Sequence, residues 1–71
     1  MKLYYYPETD SLYIELNAKP SENSQAIADS LVVDFDADGN IVGIDIDNAS
    51  QKLDLKTLEA VNLPQLIAIN P

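Results

Sequence analysis

The chain has 71 residues, twelve of them acidic against four basic, with no cysteine, no histidine and a formal net charge of −8. Disulfides and thiolate or imidazole metal sites are thereby excluded. The acid excess disfavours a phosphate backbone and an anionic bilayer, so neither nucleic acid nor membrane is an expected partner, whereas a basic protein or a cation suits the charge.

Met1-Lys2-Leu3-Tyr4-Tyr5-Tyr6 contains no apolar run of signal-peptide length, and no window approaches a membrane span; the expected location is the cytoplasm. Residues 1–16 are expected to form a first β-hairpin around Pro7-Glu8-Thr9-Asp10. Proline presets φ for a turn, and Asp10 can accept from neighbouring backbone N–H groups. Setting Tyr6 opposite Ser11 pairs Tyr5 with Leu12 and Leu3 with Ile14 on one face. On the other face it pairs Tyr4 with Tyr13 and Lys2 with Glu15, an aromatic pair and an opposite-charge pair. The polar stretch Asn17 to Ser24, with Pro20, reads as a connecting loop.

Residues 24–47 are expected to form a second hairpin. Asp38-Gly39 lies between β-branched runs and suits a two-residue type I′ turn. Centring the turn there pairs Phe35 with Val42, Val33 with Ile44 and Leu31 with Ile46 on one face, and Asp34 with Gly43 and Val32 with Asp45 on the other. Gln25 to Ala28 extends the strand that follows, with a bend or bulge at Asp29-Ser30. Gly39 needs positive φ, so Gly39→Val is expected to cost more than Gly43→Ala, and Gly43 reads as a bulge or close-approach position.

Residues 48–63 carry helical spacing at Leu55, Leu58 and Val61, with Asn48 or Ser50 as a cap, a break near Leu53, and Pro64 as a stop. The apolar tail, 64–71, is a fifth strand or an arm exchanged with a second subunit. The expected fold is α+β: one domain over 1–71, two consecutive β-hairpins forming one antiparallel sheet, and a C-terminal helix packed on one face. A core of this size rarely supplies more than about 3–5 kcal/mol of net stability, and oligomerisation or a tight partner is the usual supplement.

Three constellations bear on function. Asp34, Asp36, Asp38 and Gly39, with Asp45 at the twelfth position, have the spacing of an EF-hand calcium loop, which makes calcium binding the alternative reading. Against it, the flanks are strand-like, and the twelfth position holds Asp where a longer, bidentate Glu is usual. Catalysis would need Ser, Thr, Lys or a carboxylate without a pocket to serve it; a small carboxylate-dependent hydrolase is a distant alternative, and no cofactor is implied. Finally, Tyr4, Tyr6, Tyr13 and Val32 lie on the face opposite the expected helix. With Leu66, Ile67 and Ile69 of the tail they are the candidate contacts of a homodimer.

Tyr5 with Pro7, Asp10, Leu12-Tyr13-Ile14, Val33-Asp34-Phe35-Asp36, Asp38-Gly39, Val42-Gly43-Ile44-Asp45-Ile46 and Ala49-Ser50 together resemble a family of short bacterial proteins, the domain of unknown function twenty-two eighty-three. The resemblance runs from Met1 to about Leu53. Members commonly carry Asp before the first-turn proline, where this chain has Tyr6. The family brings no activity, cofactor or catalytic residue. Through members encoded beside small toxins, the resemblance implies an antitoxin-like role toward a basic partner. The expected function is a non-enzymatic interaction module, self-associating or binding a basic protein.

Overall fold

The computed structural model describes residues 1–64. It is mostly β. Strands β1 (Lys2–Tyr6), β2 (Ser11–Glu15), β3 (Asn23–Ala28), β4 (Leu31–Phe35) and β5 (Ile41–Ile46) form one antiparallel sheet in the order β1-β2-β5-β4-β3. A single helical turn, α1 (Ala49–Lys52), follows on the C-terminal side.

The first hairpin has the register expected from its alternation, from Lys2 opposite Glu15 to Tyr6 opposite Ser11. Thr9 N–H donates to the Tyr6 carbonyl at 3.3 Å, and Asp10 takes the left-handed conformation at φ 52°. Asp and Asn tolerate that region better than other side chains do.

The central hairpin follows the expected register from Leu31–Ile46 to Asp34–Gly43, then departs from it: Phe35 lies opposite Ile41, not Val42. The connection is not the two-residue type I′ turn. Gly39 N–H donates to the Asp36 carbonyl at 3.1 Å, and Asp36 N–H donates to the Asn40 carbonyl at 2.9 Å. These bonds enclose a three-residue loop, Ala37-Asp38-Gly39, in which only Gly39 has positive φ, at 83°. The Asp36 side chain is the cause. Its Oδ1 accepts from the backbone N–H groups of Asp38 and Asn40, each at 2.9 Å, and this draws the chain into a turn closed by a left-handed glycine. The extra residue is Val42, which the register shift tucks into the core at 2% exposure.

Residues 23–28 form a strand of their own rather than an extension. β3 pairs with β4 across the Asp29-Ser30 turn, with a register shift between Ala26 and Ala28 that leaves Ile27 unpaired. The expected second hairpin is thus a three-stranded meander, and its last strand, β5, joins β2.

The helix expected over 48–63 is one turn long. Leu53 is extended (φ −125°, ψ 151°), and Asp54 folds back on its own neighbours, accepting from Lys56 N–H at 3.2 Å and Thr57 Oγ1 at 2.6 Å. Such local side-chain bonds compete with helical hydrogen bonding. The tail residues Leu66, Ile67 and Ile69 lie outside the described residues.

Register assigns the faces. One carries Leu3, Tyr5, Leu12, Ile14, Leu31, Val33, Ile44 and Ile46; the other carries Lys2, Tyr4, Tyr13, Glu15, Val32, Asp34, Gly43 and Asp45. The buried apolar side chains among the described residues are Leu12, Val33, Val42 and Ala49, and no large side chain there is fully buried.

Candidate functional site

The polar face is built around Tyr13. Its ring lies across Gly43, one register step away on β5, and its hydroxyl donates to Asp34 Oδ2 at 3.0 Å. A Cβ on Gly43 would lie 2.6 Å from Tyr13 Cζ, so the glycine is a close-approach position, as its sequence context suggested. Ser24 Oγ donates to Asp34 Oδ1 at 2.6 Å, tying β3 to the same carboxylate. Tyr4, Tyr13, Asp45 and Val32 form one row across four strands, in that order. Three of the expected interface residues therefore meet in one line, and Tyr6 stands at the end of β1 opposite Ser11.

Asp45 sits in this row with its carboxyl pushed above the usual range, first by burial and then by the charges of Asp47 and Asp34. Burial, and then the hydrogen bond to Asp34, raises the Tyr13 phenol. The sign for Asp45 is definite. A raised folded pKa means that the native state holds the proton where the unfolded chain has released it, so stability falls as pH rises through the window above the ordinary value of 3.8. Asp45→Asn is expected to remove that part of the decline toward neutral pH, measured by urea titrations between pH 4 and pH 7; an unchanged slope would place the strain elsewhere.

The calcium spacing does not become a calcium geometry. Asp34 is engaged by Tyr13 and Ser24, Asp36 holds the turn, and Asp38 is exposed at the loop. The Asp36 carboxyl is held low, chiefly by the Asn40 N–H. Asp45 lies on β5, in the neighbouring register row to Asp34. Among the described residues, no group of three or more carboxylates is placed to hold a metal ion.

Two features escaped the sequence. The first is Asp10, which reaches far beyond its own turn. Its Oδ1 accepts from Tyr5 Oη at 2.7 Å and from Ser50 N–H at 3.0 Å, and its Oδ2 accepts from Ser50 Oγ at 2.7 Å. Its carbonyl accepts from Ala49 N–H at 2.9 Å. Asn48, the N-cap by position, makes no side-chain cap, so Asp10 supplies the cap from 40 residues upstream of Ser50. The Ser50 hydroxyl first, and Tyr5 second, hold its carboxyl low. The second feature is an open groove of about 620 Å³ on the apolar face, lined by Leu3, Tyr5 and Leu12 and walled by residues from Leu53 to Leu58. Leu55 and Leu58, which have the spacing of a helical stripe, lie outside any helix and form this wall.

A family model described as Protein of unknown function (DUF2283) matches residues 2–50. The chain belongs to this family. Comparison with curated proteins and with solved structures found no match. The DUF2283 match spans all five strands and ends on Ser50, the residue through which Asp10 ties the first hairpin to α1. The Leu53 to Leu58 wall of the groove lies beyond it. DUF2283 is a family of unknown function, so it assigns no role to any of these residues. No helix among the described residues is long and apolar enough to cross a membrane.

Proposed function

We propose that this DUF2283 chain is a non-enzymatic protein-interaction module that works as a homodimer. One observation carries the reading: the described residues bury four apolar side chains, while Leu3, Tyr4, Tyr5 and Tyr6 stay exposed along β1, on both of its faces, and Leu55 and Leu58 stay exposed at the groove beside it. A small domain with so thin a core gains by association what it lacks in burial. Packing of the helical turn and the Leu53 to Leu58 segment over the apolar face is part of this reading, as is a cytoplasmic setting, which a chain without cysteine suits. Sedimentation equilibrium from low to high micromolar concentration is expected to give twice the 7.8 kDa chain mass. A monomer throughout would refute it.

A basic protein partner is the second reading, supported by the other face. Glu15, Asp34 and Asp45 share it, and Asp34 and Asp47 both act unfavourably on Asp45. An arginine or lysine brought against Asp45 would relieve that repulsion. Binding of an arginine-rich peptide that weakens with salt and is lost in Asp45→Asn would support this reading; binding unchanged in that variant would not.

A further inference from the structure

Among the described residues the sheet has two unpaired edges, β1 and β3, and they differ. β3 is bulged at Ile27 and lined with Asn23, Ser24 and Gln25, features that blunt an edge. β1 is regular over its full length, with no proline or bulge, and its side chains after Lys2 are Leu3, Tyr4, Tyr5 and Tyr6, all exposed. Such an edge presents a row of backbone donors and acceptors ready for another strand. Charge points the same way. In a chain of net charge −8, β1 alone of the five strands described carries a basic residue, and it carries no acidic one.

We infer that β1 pairs with β1 of a second copy, antiparallel about a two-fold axis at Tyr4, joining two five-stranded sheets into one of ten strands. The inference rests on the homodimer reading and assigns its surface. The register follows from symmetry: Tyr4 faces its own copy, Leu3 faces the partner's Tyr5, and Lys2 faces the partner's Tyr6. Every pair is then compatible, with apolar on aromatic, aromatic on aromatic, and an ammonium beside a phenol ring. No like charges are opposed. The grooves floored by Leu3 and Tyr5 meet across the axis, so the wall residue Leu58, 80% exposed, gains a surface to pack on. Leu3, Tyr4, Tyr5 and Tyr6 retain on the order of 400 Å² of exposed area, about half of the roughly 800 Å² per partner that a standard interface buries. Leu55 and Leu58 of the groove wall, 40% and 80% exposed, add to it.

Because the chain has no cysteine, introduced thiols report the register directly. Opposed residues of an antiparallel pair have Cα atoms about 4.5–5.5 Å apart, within disulfide range. Under mild oxidation, Tyr4→Cys chains are expected to form covalent dimers at least tenfold faster than Tyr6→Cys chains. Mixing Lys2→Cys with Tyr6→Cys chains should give the mixed dimer. Should Tyr4→Cys not fold, a mixture of Leu3→Cys and Tyr5→Cys chains tests the same register. Tyr6→Cys chains that cross-link alone as fast as Tyr4→Cys chains would overturn the two-fold pairing. A wild type that sediments as a dimer while Tyr4→Cys stays uncross-linked would overturn the β1 assignment and leave the homodimer standing. A monomeric wild type without cross-linking would overturn both.

Discussion

Gly43→Ala is expected to lower stability by about 2–3 kcal/mol, combining overpacking against the Tyr13 ring with loss of the Tyr13 to Asp34 hydrogen bond. The new methyl group would occupy space that the ring already fills, and the ring cannot move aside without releasing Asp34. Gly39→Val is expected to cost less, about 1–2 kcal/mol. Nothing lies within 4 Å of a Cβ at Gly39, so the penalty is that of a β-branched residue held at φ 83°. This reverses the order expected from sequence, where the turn glycine looked the more constrained. Urea denaturation of both variants decides it. If Gly43→Ala proves the milder, Tyr13 is free to swing away and the packed ring is not a structural element. A double-mutant cycle with Tyr13→Ala should recover most of the Gly43→Ala loss, since removing the ring removes the clash.

The second large effect is expected at Leu12. It lies between Tyr5 on β1 and Ile46 on β5, is 6% exposed, and forms part of the groove floor. Leu12→Ala is expected to cost about 2–4 kcal/mol, toward the lower half of the range for buried leucines because the groove side of the site is open. Set against the roughly 3–5 kcal/mol that a core of this size rarely exceeds, the loss leaves little folded protein in dilute solution. If association completes the fold, Leu12→Ala should regain its circular dichroism signal as protein concentration is raised. A signal lost equally at all concentrations would show that the protomer stands or falls alone.

Much of the sheet was legible because two independent signals agreed. In the first hairpin, a proline-led turn and an alternating pattern each select the register that pairs Tyr4 with Tyr13. In the central hairpin the alternation was equally clear, but the turn type was not. Asp-Gly is a good type I′ signal, and it lost to the Asp36 carboxylate two residues earlier, which bonds two backbone amides and shifts the register by one. β3 was underestimated because Asn23, Ser24 and Gln25 have little strand propensity; its pairing depends on β4 and on the Ser24 to Asp34 hydrogen bond. The helix was overextended because leucines at Leu55 and Leu58 fit a helical period that Asp54 interrupts. Three members of the tyrosine row were found through alternation alone. The Asp10 clamp was not, since its partner Ser50 is 40 residues away and no local pattern marks so distant a carboxylate acceptor.

The most direct test of whether this fold is completed by a second copy is the dependence of melting on protein concentration. For a dimer that unfolds to monomers, a hundredfold rise in concentration adds about 1.4 kcal/mol per protomer, or roughly 5–10 °C in Tm for a domain of this size. Self-association predicts that rise for the wild type and a smaller one, at lower Tm, for a variant with Tyr4→Lys, which sets like charges across the two-fold axis. A wild-type Tm that stays constant over the same hundredfold range would contradict it.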